Sequence, residues 1–220
     1  MSIFVLCCQI EYSFQEIMTK STQKEKKYPA IIMAAGFSSR MGTQKMFLPF
    51  TTHECFLSRL IAVYESYGSK EVVLVVNSQG AEHIQKNFNL AGNIRIIKNP
   101  HPEWQKFYSL QLACQILTNT EAVFVQNIDN PFTNAEVLMI LEKAAGKGDY
   151  ILPEYRNTGG HPFLISSHVI RQVAEHQNPQ EHLKFFLKQF KTLRLPVQNH
   201  EILANINTPE AYEQWFKKAL

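Results

Sequence analysis

Residues 31–50 read IIMAAGFSSRMGTQKMFLPF: an apolar run gives way to small residues, and Arg40, Gly42 and Lys45 follow within ten positions. The run AIIMA at 30–34 has the continuous apolar character of a strand buried on both faces. Gly36 comes directly after it, where a chain leaving a sheet can use positive φ or a close backbone approach. Ala34, Ala35, Ser38 and Ser39 leave room beside the backbone. Exposed loop amides form an anion nest, and Arg40 and Lys45 add two cations, a combination suited to a polyphosphate. Two common phosphate loops are excluded. A P-loop, G-x-x-x-x-G-K-S/T, would need glycine where Met41 stands and serine or threonine after Lys45, where Met46 stands. A dinucleotide fingerprint, G-x-G-x-x-G, would need glycine at Ser38 and Met41.

Beyond this loop the chain alternates short β-branched runs with longer amphipathic stretches, as strands joined by helical crossovers do. The strands expected are AIIMA, EVVLVVNS, NIRIIKN, AVFVQNI, YILPEY, HPFLIS and TLRLPV. ECFLSRLIAVYESYG and FYSLQLACQILTN space apolar residues three and four apart, and NAEVLMILEKAAGKG ends in glycine stop signals. TPEAYEQWFKKAL supplies the last expected helix. The fold class is therefore α/β, a mostly parallel sheet with helices on both faces. Its ligand crevice is expected beyond the carboxyl ends of the strands, where the opening loop lies.

The 220 residues suffice for one well-buried domain, and no linker-like stretch divides the middle. With 45% hydrophobic and 19% charged residues the chain folds rather than staying disordered. A formal charge of +3, scattered along the sequence, does not make a nucleic-acid footprint. Cys7, Cys8, Cys55 and Cys114 lack C-x-x-C spacing, and the histidines form no zinc pattern, so the thiols read as reduced and the compartment as cytoplasmic. The start, MSIFVLCCQI, is too short to span a bilayer and lacks the features of a signal peptide, so no membrane partner is expected. Polar residues dominate 19–27, and residues 1–27 read as a loosely held extension before a domain at 28–220.

The opening stretch resembles the L-A-A-G-x-S-x-R-M-G-x-x-K-x-L-L-P signature of the MobA-like nucleotidyltransferases, especially the molybdenum cofactor cytidylyltransferases. Ala34, Ala35, Gly36, Ser38, Arg40, Met41, Gly42, Lys45, Leu48 and Pro49 fall on the pattern. VFVQNIDNPF resembles the family's strand ending in D-x-P, with Asp129 as its aspartate. NTGGHPFLIS resembles the G-H-P-V-L element, through Gly160, His161, Pro162 and Leu164. ANINTPEAYEQW resembles the closing D-I-D-T-P-E-D-Y.

The resemblance implies a three-layer, Rossmann-like fold of the GT-A-like nucleotidyltransferase type. It implies a Mg²⁺-dependent enzyme that transfers CMP from CTP to the phosphate of molybdopterin cofactor, with a molybdoenzyme as downstream partner. Arg40 and Lys45 would be catalytic, with Lys45 near the α-phosphate and Arg40 toward the leaving pyrophosphate. Ala34, Ala35, Gly36, Ser38, Gly42, Asn99 and Ser109 would bind nucleotide, Asp129 and Asn207 the metal, and Gly160, His161 and Pro162 would form the acceptor pocket. Read alone, Asp129 is also a candidate helix cap, and His161 a hydrogen-bonded core histidine. Trp104, Phe107 and Tyr108 could flank a pterin or base, or simply pack.

The chain departs from the pattern in three places. Asn205 and Asn207 stand where the cytidylyltransferases have aspartates, Lys106 or Phe107 stands near an expected glycine, and NPQEHLKFFLKQF replaces a G-D-x-G-x-R stretch. Guanylyl or sugar-phosphate nucleotidyl transfer, and a catalytically impaired nucleotide- or molybdopterin-binding module, are the competing readings.

Overall fold

The computed structural model describes residues 27–216; the expected extension lies outside them but for its last residue, Lys27. An eight-stranded sheet runs in the order β3-β2-β1-β4-β7-β5-β6, with β8 against β5. The strands are β1 (Ala30–Ala34), β2 (Val72–Val76), β3 (Ile94–Lys98), β4 (Ala122–Asn127), β5 (Tyr150–Tyr155), β6 (Thr158–Gly159), β7 (Phe163–Ser166) and β8 (Thr192–Pro196). All seven expected strands form. The eighth, β6, closes a hairpin on β5 through Arg156 and Asn157, both at positive φ.

The half that carries the opening loop is parallel: β1 pairs with β2 and β4, and β2 with β3. The other half is mixed, because β7 runs antiparallel to β4 and β5 while β8 is parallel to β5. Strands β1 and β2 are buried along their whole length, as their uninterrupted apolar sequences require. Alternation along β1 divides its side chains between two cores: Ala30, Ile32 and Ala34 enter one, Ile31 and Met33 the other.

The first core is covered by α1 (Phe56–Tyr67), α2 (Ser78–Asn87) and α4 (Ala135–Lys143), with α7 (Pro209–Phe216) packed against its edge. The second is covered by α3 (Gln105–Ile116), α5 (Ser167–Ala174) and α6 (Leu183–Leu187). Helix α1 buries Phe56, Leu57, Leu60, Ile61 and Tyr64 and stops at Gly68, whose φ of 87° supplies the left-handed turn. Helix α4 starts at Asn134, whose side chain accepts from the Val137 amide. The four expected helices are present; α2, α5 and α6 were not anticipated. Helix α2 has few apolar residues to announce it, burying only Gly80, Ala81 and Ile84.

Candidate active site

The loop leaving β1 makes two short 3₁₀ turns, Ser39–Met41 and Lys45–Phe47. Its positive φ values fall at Ser38 (54°) and Gly42 (68°), not at Gly36. Gly36 serves access instead: a Cβ there would meet nothing within 4 Å, so its face is open to a ligand. The Ser38 hydroxyl accepts from the Lys45 amide at 3.1 Å, folding the loop back so that the lysine returns to the strand end.

A small cleft opens here, lined by Ala35, Gly36, Ser38, Lys45, Lys106, Ser109, Asn127 and Asp129 among others. Six of the expected site residues thus converge on one cleft from three separate parts of the chain. Asp129 follows β4, and its backbone neighbour Ile128 donates to the Met33 carbonyl at 3.2 Å, fixing the β4 loop beside β1. Asn134 caps α4, so Asp129 is not that helix's cap. Its carboxylate is 9% exposed, and Oδ2 lies 3.4 Å from Lys106 Nζ.

The closing segment reaches the same place. The Ile206 amide donates to the Asp129 carbonyl at 2.9 Å, which sets Asn205 and Asn207 beside the β4 loop. Asn207 Oδ1 accepts from Lys45 Nζ, and Asn207 Nδ2 donates to Asn205 Oδ1. Asn130 anchors the preceding turn, its amide donating to the Glu201 and Ile202 carbonyls at 3.1 and 2.8 Å. The pKa of Lys45 is lowered, first by burial and then by Lys106 and Arg40, while Asp129 opposes the shift. Arg40 itself is exposed.

Other expected site residues act at one remove from the cleft. Ala34 packs its side chain into the first core, so only its backbone can face a ligand. Asn99 is buried and holds the loop after β3, donating to Ser109 Oγ at 3.0 Å and accepting from the His101 amide at 2.7 Å. Gly160 is wedged against the closing segment: a Cβ would come within 2.5 Å of the Ile202 carbonyl oxygen. His161, joined to Pro162 by a cis peptide, shares a 2.7 Å hydrogen bond between its Nε2 and Asn127 Nδ2. Its Nδ1 and Asn127 Oδ1 are buried and have no hydrogen-bond partner among the described residues. Burial lowers the imidazole pKa to about 4, with Asp129 opposing and Lys106 assisting.

Several contributors were missed in the sequence. Buried Gln126 donates to the Asn127 and Asn130 carbonyls at 2.9 and 2.8 Å and accepts from Thr133 and Tyr64, so an amide network underlies the β4 loop. The polar run QNIDN at the end of an otherwise apolar strand was the available signal. Lys106 was noted only as an interruption where glycine was expected. The unusual backbone falls one residue earlier, at Gln105, with φ 64° and ψ −156°, a region glycine normally occupies. Phe107 is core, edge-on to His176 and Phe186, whereas Trp104 stacks on His101 at 4.1 Å beside the cleft.

Among the described residues no cluster of three or more His, Cys, Asp or Glu side chains could hold a metal ion. Mg²⁺ nevertheless needs only one or two carboxylates when substrate phosphates complete its shell. Asp129 meets that requirement, and Asn207 offers an uncharged oxygen that Lys45 now engages.

Residues 30–194 match the MobA-like NTP transferase domain. The chain is 29% identical over 182 residues to the molybdenum cofactor cytidylyltransferase of Escherichia coli, spanning 83% of this chain and 92% of that one. It is 25% identical to a probable molybdenum cofactor guanylyltransferase of Carboxydothermus hydrogenoformans, over 84% and 93% of the two chains. Rv0371c of Mycobacterium tuberculosis superposes with a TM-score of 0.72 at 18% identity, covering 87% of this chain and 99% of that one. A manganese complex of Rv0371c superposes with a TM-score of 0.68 at 16% identity, over 87% and 99%. With the signature loop, the D-x-P strand end and the closing segment gathered at one cleft, the chain belongs to the MobA-like NTP transferase family and is a nucleotidyltransferase.

Proposed function

We propose that this enzyme transfers CMP from CTP to the terminal phosphate of molybdopterin cofactor and releases pyrophosphate. The observation that carries the reading is the convergence of the β1 loop, Lys45 and Asp129 on one cleft. An oxygen of the acceptor phosphate attacks the α-phosphorus of the triphosphate, and the bond to the β-phosphate oxygen breaks as pyrophosphate departs on the opposite side. Little covalent chemistry is left to the protein, so positioning and charge stabilisation dominate.

Lys45, held on the rim by Ser38 and Asn207, would meet the α-phosphate. Arg40, exposed one turn earlier, would meet the leaving pyrophosphate. The open face at Gly36 lets backbone amides approach the phosphates. Asp129, with Asn207 as an uncharged second donor, would hold a Mg²⁺, which supplies Lewis-acid stabilisation of phosphate oxygens when bound. His161 and Pro162, one hydrogen bond from the cleft through Asn127, would shape the acceptor side.

The A-A-G loop and G-H-P element favour cytidine in this reading. Asn205 and Asn207, standing where the cytidylyl pattern has aspartates, blur that assignment and keep guanylyl transfer as the alternative. In either case the enzyme would work in the cytoplasm; among the described residues no helix is long and apolar enough to cross a membrane. Incubation with α-labelled CTP or GTP and molybdopterin tests the proposal. Label transferred to the pterin from CTP supports it, transfer from GTP alone moves the assignment to guanylyl transfer, and transfer from neither refutes it.

A further inference from the structure

Lys106 is a cation that the signature motif does not contain. It is the second residue of α3, in the first turn of a 12-residue helix, where the helix dipole disfavours positive charge. Its side chain is 52% exposed, yet its ammonium sits 3.4 Å from Asp129 Oδ2 and lines the same cleft as Gly36, Ser38 and Lys45. Lys45 in turn engages Asn207 Oδ1. Asp129 and Asn207, the two side chains proposed for a divalent cation, therefore both face lysines, and among the described residues Asp129 is the one carboxylate lining the cleft.

A single carboxylate with an uncharged amide draws Mg²⁺ less strongly than two carboxylates. Two lysines beside an open glycine backbone and a helix N-terminus draw polyanions more strongly. The lysine end of this 3.4 Å pair is half exposed to water, which screens it, so the contact gives folding little reason for a lysine at this point of the helix.

We propose that Lys106 is a triphosphate-binding residue of the transferase site, and that it takes over part of the charge neutralisation a second metal-holding carboxylate would otherwise support. On triphosphate binding the ammonium leaves Asp129 for a phosphate oxygen, which frees the carboxylate. The nucleotide then binds appreciably without any divalent cation. This inference rests on the nucleotidyl-transfer reading.

The test is equilibrium binding of CTP and of GTP to the full chain by calorimetry, once in Mg²⁺ and once in EDTA, with melting temperature as the folding control. In EDTA the wild type should bind its preferred nucleotide within about tenfold of the Mg²⁺ value. Lys106→Ala should weaken binding in EDTA by about tenfold or more, and in Mg²⁺ by less. Lys106→Arg should keep most of the affinity, and the melting temperature of Lys106→Ala should be unchanged or raised. Equal affinity of wild type and Lys106→Ala in EDTA, or abolition of wild-type binding by EDTA while Mg²⁺ binding persists, overturns the role of Lys106 alone. Failure of the wild type to bind either nucleotide in Mg²⁺ overturns the transferase reading and this inference with it.

Discussion

At the scale of single residues, Lys45 carries the clearest chemical demand. It is partly buried and held by Asn207, with the Asp129 carboxylate and the cations Lys106 and Arg40 all near enough to act on its charge. Lys45→Ala and Arg40→Ala should each lower turnover by about 10²-fold or more if they carry the charge neutralisation proposed for them. Their melting temperatures should stay within a few degrees of wild type, because neither side chain belongs to a core. Asn207→Asp restores a second carboxylate, so the Mg²⁺ concentration for half-maximal activity should fall; an unchanged requirement would remove Asn207 from the metal site. His161 makes a pH prediction. Its folded pKa, about 4, lies below the unfolded value of 6.5, so between these pH values the unfolded chain holds more protons. Stability is therefore full above about pH 6.5 and falls toward pH 4, by at most about 3 kcal/mol from this residue. Urea unfolding of His161→Gln should show a shallower loss across that window.

Elements decide where those residues stand. Asn77 accepts from the Gly80 amide at 2.8 Å as the cap of α2, and its own amide donates to the Ala35 carbonyl at 3.2 Å, so one side chain ties a helix start to the phosphate loop. Asn77→Ala should reduce stability by about 1–2 kcal/mol and raise KM for the nucleotide more than it lowers kcat. Denaturant unfolding and steady-state kinetics together separate these effects. Gly160→Ala should be more damaging, because its methyl group would strike the Ile202 backbone that leads to Asn207. The strands were legible in the sequence because β1 and β2 are continuous apolar runs and β4 is one as far as Val125. Helix α2 was not, since its ends are set by the Asn77 cap and its packing by only three buried residues. The candidate residues were legible as a motif, but their division into cleft-lining and supporting groups was not. Asn99 looks like a ligand in one dimension, and folding turns both its donor and its acceptor onto its own loop.

At the scale of the molecule, the closing segment joins the two halves. After β8 at the mixed end of the sheet, the chain returns past Asp129 and enters α7, where Tyr212 Oη donates to the Pro49 carbonyl at 2.8 Å. Phe216 stacks on Phe56 and Phe132, so α7 also seals the first core. The mostly parallel sheet expected from the sequence is present, but the reversal of β7 was not legible: it enters between β4 and β5 against both, a pairing set by long-range register rather than local pattern. The whole arrangement places a cleft lined by Lys45, Lys106 and Asp129 at the carboxyl ends of β1 and β4, and it is there that we propose nucleotidyl transfer occurs. The most direct measurement is pyrophosphate release by the purified full chain with Mg²⁺, comparing CTP, GTP, ATP and UTP with and without molybdopterin cofactor. Release that requires the acceptor and is fastest with CTP is the predicted result. Absence of acceptor-dependent release with every nucleotide, from protein that is folded and binds CTP, would contradict catalysis at this cleft.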